Sequence, residues 1–160
     1  MPKSLSRSVW TVALAAMAAG CGGSSSTGAA SPAATSPTPE PLVKTATATV
    51  AGKSETILVD NKGMTLYYFT PDKGGKVTCT GPCLGVWPPL LLPAGMSKPA
   101  ADKTVKGTLT TVANPDGKGT QVVYNNWPLY YYAKDKSPGD TTGQNVGGKW
   151  FVVPPDLAPG

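Results

Sequence analysis

Histidine is absent from this chain of 160 residues, and its single arginine is Arg7. Without histidine the chain has no Ser-His-Asp or Cys-His nucleophile pair, no C-x-x-C-H haem site, and none of the zinc or copper sites that use imidazole. Without a later arginine it lacks the bidentate fork that recognises phosphate and guanine. We therefore expect no metal, no other cofactor and no nucleic-acid partner.

The first 21 residues, MPKSLSRSVWTVALAAMAAGC, are typical of a secretory signal. Lys3 and Arg7 precede an apolar core of eleven residues, shorter than the roughly 20 residues that a transmembrane helix needs. The segment AAGC resembles the lipobox of bacterial lipoproteins, although Ala18 stands where leucine is usual. We expect residues 1–20 to be a signal peptide and Cys21 to carry a lipid; cleavage at an A-x-A-like site in AMAAG is the alternative.

A segment of low complexity follows the cysteine. Residues 22–41 contain only Gly, Ser, Thr, Ala and Pro apart from one Glu, a composition that cannot bury a core. We expect residues 21–42 to be a disordered tether behind the lipidated cysteine. The protein is then extracytoplasmic and is held to a bacterial membrane through its N-terminal lipid.

From residue 43 to residue 160 the sequence indicates a small all-β domain. Short segments alternate between apolar and polar residues, such as KTATATV at 44–50 and ETILVD at 55–60, and turn residues separate them, as in DNKG at 60–63. These are the patterns of strands and hairpins. No window after Cys21 has apolar residues at helical spacing over three turns.

The domain contains a duplicated unit. LYYFTPD at 66–72 recurs as LYYYAKD at 129–135, and the same offset of 63 places Trp87 opposite Trp150 without a gap. We expect two repeats, at about 57–92 and 120–156. Because each is too small to be stable alone, they should share one core within a single domain.

The duplicated unit resembles a family of bacterial secreted-repeat lipoproteins with a Y-x-[FWY]-x-x-D motif and no established molecular function. The motif positions are Tyr67, Phe69 and Asp72 in the first copy and Tyr130, Tyr132 and Asp135 in the second. The family's C-x-G-x-C-x-x-x-W-P-P segment matches residues 79–89, and its G-G-x-W-F segment matches residues 147–151. The resemblance implies a location and a fold unit, and it supplies no catalytic residues.

The motif side chains admit two interpretations. In the structural one, the aromatic rings fill the core and the two aspartates brace turns, accepting hydrogen bonds from backbone N–H groups and a tyrosine hydroxyl. In the functional one, the rings form a platform for a sugar or a cation with an acidic partner. A glycosidase-like enzyme would instead use Asp72 and Asp135 as its carboxylate pair across an open cleft.

The two remaining cysteines, Cys79 and Cys83, predict a disulfide. The compartment is oxidising, and lipidation of Cys21 leaves these as the last two thiols. Thiol redox chemistry and a Cu(I) site assisted by Met64 or Met96 are the alternatives. By the ungapped offset, the second copy carries Thr142 and Val146 at the cysteine positions.

Together these features predict a lipid-anchored, non-enzymatic binding or accessory module of the cell envelope, with an envelope protein or a glycan as partner. The alternatives are a redox or metal-handling accessory protein that uses Cys79 and Cys83, and a carboxylate-based glycan-acting enzyme.

Overall fold

The computed structural model describes residues 40–160, so the signal peptide, Cys21 and nearly all of the expected tether lie outside the described residues. Within that range the chain forms seven short strands, one four-residue α-helix and two 3₁₀ turns. The strands are β1 (Val43–Val50), β2 (Lys53–Asp60), β3 (Tyr67–Phe69), β4 (Leu109–Ala113), β5 (Thr120–Tyr124), β6 (Trp127–Pro128) and β7 (Trp150–Val152). The helix α1 is Cys83–Val86, and the 3₁₀ turns are Thr70–Asp72 and Val146–Gly148.

Each repeat begins with a hairpin. In the first, β1 pairs antiparallel with β2 through a two-residue turn at Ala51 and Gly52, both with positive φ (48° and 83°), as such hairpin turns require. In the second, β4 pairs with β5, which also pairs with β6. The two hairpins make equivalent backbone bonds. The Leu58 carbonyl of β2 accepts from the Leu66 N–H, and the Val122 carbonyl of β5 accepts from the Leu129 N–H.

The motif strands exchange partners between the repeats. The first motif strand, β3, pairs antiparallel with β7, which belongs to the second repeat. The second motif segment, 130–132, lies against residues 87–89 of the first repeat, with a bridge between Pro89 and Tyr130 and a bond from the Tyr131 N–H to the Pro88 carbonyl. Each tyrosine segment is therefore paired with the tryptophan segment of the other copy.

The two motif segments meet at Tyr67 and Tyr130. These residues exchange both backbone bonds, at 2.9 Å from Tyr67 N to Tyr130 O and 3.0 Å in the reverse direction. In an antiparallel arrangement, a local two-fold axis passes between two residues that exchange both backbone bonds in this way. The repeats are thus related by a pseudo-two-fold axis between the two tyrosines.

The core consists of two apolar clusters, and Tyr67 and Tyr130 belong to the first. The first is largely aromatic: its buried members are Ala48, Val50, Ile57, Val59, Tyr67, Cys79, Leu84, Trp87, Tyr130, Tyr132, Trp150 and Val152. The second is largely aliphatic: its buried members are Leu42, Val43, Leu58, Leu66, Leu90, Val122, Tyr124, Leu129 and Val153. Both clusters contain residues from both repeats, which confirms the prediction of an all-β fold built from two copies around a shared core.

We expect neither half of the domain to fold alone. Fragments 42–100 and 101–160 divide the chain between the repeats, so each loses the segment that pairs with its own tyrosine segment and part of each cluster. Circular dichroism melts should show a cooperative transition for 42–160 and none for either fragment. A fragment with its own cooperative melt would show that the interleaving is not required for folding.

Candidate functional site

The motif tyrosines and aspartates form two reciprocal pairs across the repeats. The Tyr67 hydroxyl donates to Asp135 Oδ2 at 2.6 Å, and the Tyr130 hydroxyl donates to Asp72 Oδ2 at 2.5 Å. Each copy therefore supplies a donor to the other copy's acceptor. The aspartates are 0% and 7% exposed for Asp72 and Asp135, and both tyrosines are fully buried.

A threonine takes the second oxygen of each carboxylate. Asp72 Oδ1 accepts from the Thr78 backbone N–H at 2.8 Å and from the Thr78 hydroxyl at 2.5 Å. Asp135 Oδ1 accepts from the Thr142 backbone N–H at 3.1 Å and from the Thr142 hydroxyl. Each aspartate thus accepts from a threonine of its own loop with one oxygen and from a tyrosine hydroxyl of the other repeat with the second.

These bonds correct one detail of the ungapped alignment. An offset of 63 places Thr142 opposite Cys79, whereas the bonding pattern makes Thr142 the counterpart of Thr78. The second loop is one residue longer between aspartate and threonine, and one shorter before its tryptophan. The shifted register makes Gly143 the counterpart of Cys79, and a Cβ on Gly143 would lie 2.8 Å from the Tyr67 ring. No side chain fits there without displacing that ring.

Burial shifts the pKa of Asp72 and of the two tyrosines. It raises the pKa of Asp72 above the ordinary 3.8, and the hydrogen bonds from Thr78 and Tyr130 oppose that rise. Burial, and then the bonded carboxylate, also hold the pKa of Tyr67 and of Tyr130 far above the ordinary 10.0. Both hydroxyls therefore remain protonated and serve as donors over the physiological pH range.

The tryptophans form the centre of a four-ring stack. Trp87 and Trp150 lie face to face, with centroids 3.8 Å apart and an interplanar angle of 2°. Phe69 stacks on the outer face of Trp150 at 4.2 Å, and Tyr132 stacks on Trp87 at 4.4 Å. The stack alternates between the repeats, and its two outer rings, Phe69 and Tyr132, are the second aromatic position of the Y-x-[FWY]-x-x-D motif in each copy.

The cysteines are joined in a disulfide, as the sequence predicts, with Cα atoms 5.4 Å apart. Cys79 is 1% exposed and packs in the aromatic cluster, whereas Cys83 begins α1 and is half-buried. Closing a ring of this size stabilises by about 2 kcal/mol on the chain-entropy account. Because Cys79 follows Thr78 directly, the ring also restrains the loop that holds Asp72.

This geometry favours the structural interpretation of the motif. A carboxylate pair for glycoside hydrolysis must face an open cleft, but both oxygens of Asp72 and of Asp135 are already bonded inside the protein. A Cu(I) site needs free thiolates, and the two sulfurs are bonded to each other. Among residues 40–160 there is no cavity and no group of three or more His, Cys, Asp or Glu side chains suited to a metal.

Several polar contacts of the core were not predicted from the sequence. They include the bonds that Thr78 and Thr142 donate to the motif aspartates. They also include Asp60, whose Oδ2 accepts from the Tyr131 hydroxyl at 2.9 Å. Gln121 is fully buried and receives a bond from Asn114 while donating to the Leu129 carbonyl. The available signal for the threonine–aspartate bonds was a threonine six or seven residues after each motif aspartate.

Removal of the Tyr130 hydroxyl tests the reciprocal pairs. We expect Tyr130→Phe to destabilise the domain by about 1–3 kcal/mol at neutral pH, because Asp72 Oδ2 is left buried without a donor. Asp72 has a raised pKa, so its contribution to stability is complete below 3.8 and falls as the pH rises through the folded-state value. The substitution raises that pKa further, and its cost should grow as the pH rises above about 4.

Urea denaturation of both proteins from about pH 3 to about pH 7 measures this difference. Tyr68→Phe is the matched control, because the Tyr68 ring packs on Trp127 and Phe151 and its hydroxyl has no role in the pairs. A cost that does not change with pH would contradict the assignment of Asp72 as the affected carboxylate.

The described residues contain no helix that is both long enough and apolar enough to cross a bilayer. No match was found among curated proteins, and none among solved structures. The profile of a family described as a secreted repeat of unknown function matches the chain twice, at residues 48–91 and 110–154, which together exceed half of its length. The chain therefore belongs to this family of extracytoplasmic secreted repeats, of which it carries two copies.

Proposed function

We propose that this protein is a lipid-anchored module of the cell envelope that acts by binding through its outer surface. The observation that carries the proposal is the reciprocal bonding of the motif. Tyr67, Asp72, Tyr130 and Asp135 satisfy one another inside the core, so the most distinctive residues of the repeat maintain the fold. Recognition is then left to the loops and strand edges that surround them.

The distribution of charge supports an outward-facing role. The chain from residue 40 has twelve lysines and nine acidic residues, and eleven of the lysines are exposed, Lys44 being partly buried. Three of the acidic residues, Asp60, Asp72 and Asp135, are buried. The surface is therefore richer in cations than the net charge indicates, which suits an acidic face of an envelope protein or an anionic glycan.

A thiol redox role ranks second. The partial exposure of Cys83 would allow attack by an external thiolate, but the disulfide occurs in one repeat only and Cys79 is buried in the aromatic cluster. Because Cys79 follows Thr78 directly, the disulfide also restrains the loop whose Thr78 donates to Asp72.

Anchoring is tested at Cys21. We expect the intact chain to incorporate labelled fatty acid and to fractionate with membranes, and Cys21→Ser to lose both properties, because the lipid is attached to that sulfur. Cys79→Ser is the control and should keep the label. Label retained on Cys21→Ser, or lost from Cys79→Ser, would contradict lipidation at Cys21.

Surface binding is tested with the full chain carrying Cys21→Ser and purified bacterial envelopes. We expect co-sedimentation that weakens as salt is raised, because exposed lysines contribute to it. Tyr67→Phe should bind equally well while it remains folded, since its hydroxyl is buried against Asp135. Loss of binding by folded Tyr67→Phe would favour the motif itself as the binding site.

A further inference from the structure

One strand edge of the domain is open. Backbone bonds from Asn114 N to Gly119 O and from Asn125 N to Thr108 O fix the register of the second hairpin. By the alternation of an antiparallel ladder, Leu109, Thr111 and Ala113 turn their N–H and C=O groups away from β5. None of these six groups bonds to a residue in the range 40–160. Thr111 and Ala113 are also exposed.

The corresponding edge of the first hairpin is covered at both ends. Val43 N donates to the Ala100 carbonyl, and the Val43 carbonyl accepts from Asp102 N. The Thr45 hydroxyl bonds the Thr104 hydroxyl at 2.8 Å. At the other end, the Thr49 carbonyl accepts from the Thr141 hydroxyl. Each repeat thus has its own hairpin, and the two hairpins differ in what lies against the outer edge.

The sequence of β4 does nothing to prevent pairing. LTTVA contains no charge, no proline and no glycine, whereas exposed edges are usually protected by a lysine, a proline or a bulge. Threonine and valine also favour extended backbone. An unprotected edge with this composition is a template for another strand.

We propose that β4 pairs with β4 of a second copy, antiparallel, with a two-fold axis between the two Thr111 residues. This register places Leu109 opposite Ala113 and Thr111 opposite itself. All three are residues whose backbone groups point outward, so each facing pair exchanges two bonds and all six open groups on each strand are satisfied. No other register of β4 against itself satisfies all of them.

Charge supports this register. Lys106 and Asp116 lie five residues before and five residues after Thr111, and both are exposed. The two-fold axis therefore directs Lys106 of each copy toward the segment that carries Asp116 in the other. Asp116 uses Oδ2 to accept from Gly81 N, so Oδ1 remains for a second donor. Opposite charges at both ends favour this alignment over shifted ones.

The arrangement closes on itself. A two-fold interface uses the same patch on both copies, so a pair of β4 strands leaves neither edge open for a third chain. The edge of β1 is shorter, because residues 100–104 and Thr141 contact its two ends, and between them the outward backbone groups of Thr45 and Thr47 take no bond within residues 40–160. The expected product is a dimer and not a fibre.

A cysteine at the centre of the interface tests the proposal in intact cells. Across a mutually bonded antiparallel pair the Cα atoms are about 5.5 Å apart, so a short thiol-reactive cross-linker can join the two residues. We expect Thr111→Cys in the full chain to give a covalently linked dimer with such a cross-linker. The native Cys79 and Cys83 are bonded to each other and do not compete. Thr47→Cys, exposed at the middle of β1, is the matched control and should give no cross-linked dimer.

A proline tests the same edge without a cross-link. Thr111→Pro removes an outward N–H that β5 does not use, so the intrachain ladder is kept. In detergent, the full chain should sediment as a dimer and Thr111→Pro as a folded monomer that still melts cooperatively, with a melting temperature lower only by the lost contribution of association. Thr47→Pro should remain dimeric.

Two results would overturn the proposal. One is a wild-type chain that sediments as a monomer, or a Thr111→Pro chain that keeps the dimeric mass. The other is a Thr111→Cys chain that cross-links no more than Thr47→Cys, or that cross-links to a different protein, which would assign the β4 edge to a heterologous partner.

Discussion

The fold depends on a buried exchange of hydroxyl and carboxylate between two copies of one sequence unit. A buried aspartate or phenol is costly unless it is hydrogen-bonded, and each repeat contains only one half of each pair. Tyr67 is satisfied by Asp135, and Tyr130 by Asp72. Either repeat alone would hold both a donor and an acceptor without a partner. The polar pairs therefore act with the apolar core to make assembly of the two copies all-or-none.

The rest of the core is arranged around the same axis. Exchange of the Tyr67 and Tyr130 backbone bonds places the motif segments side by side, and each then pairs with the tryptophan segment of the other repeat. That pairing brings Trp87 and Trp150 face to face. The disulfide occurs in the first copy only. In the second copy the counterpart of Cys79 is Gly143, which lies close against the Tyr67 ring. One loop is thus held by a covalent ring and the other by a close contact that excludes a side chain.

The sequence was sufficient for the fold class, the duplication and the disulfide, because alternation, turn residues and spacing are local signals. It also indicated that each motif aspartate would brace a turn and accept from a tyrosine. It did not indicate that the tyrosine belongs to the other copy, since the pairs are separated by 68 and 58 residues. The one-residue shift that aligns Thr142 with Thr78 was hidden because the loop restores the offset before Trp150. Local composition does not record such compensating changes.

The interior of the two repeats is nearly equivalent, whereas their exteriors differ. The Tyr–Asp pairs and the hairpins recur, and each copy contributes two rings to the single aromatic stack. Outside, residues 100–104 lie across β1 while no residue between 40 and 160 lies across β4. A perfectly symmetric domain would present two equal edges, and two edges permit open-ended growth. Contacts at both ends of β1 shorten that edge and leave β4 as the longer open one, so the two repeats differ at the surface although their interiors are alike.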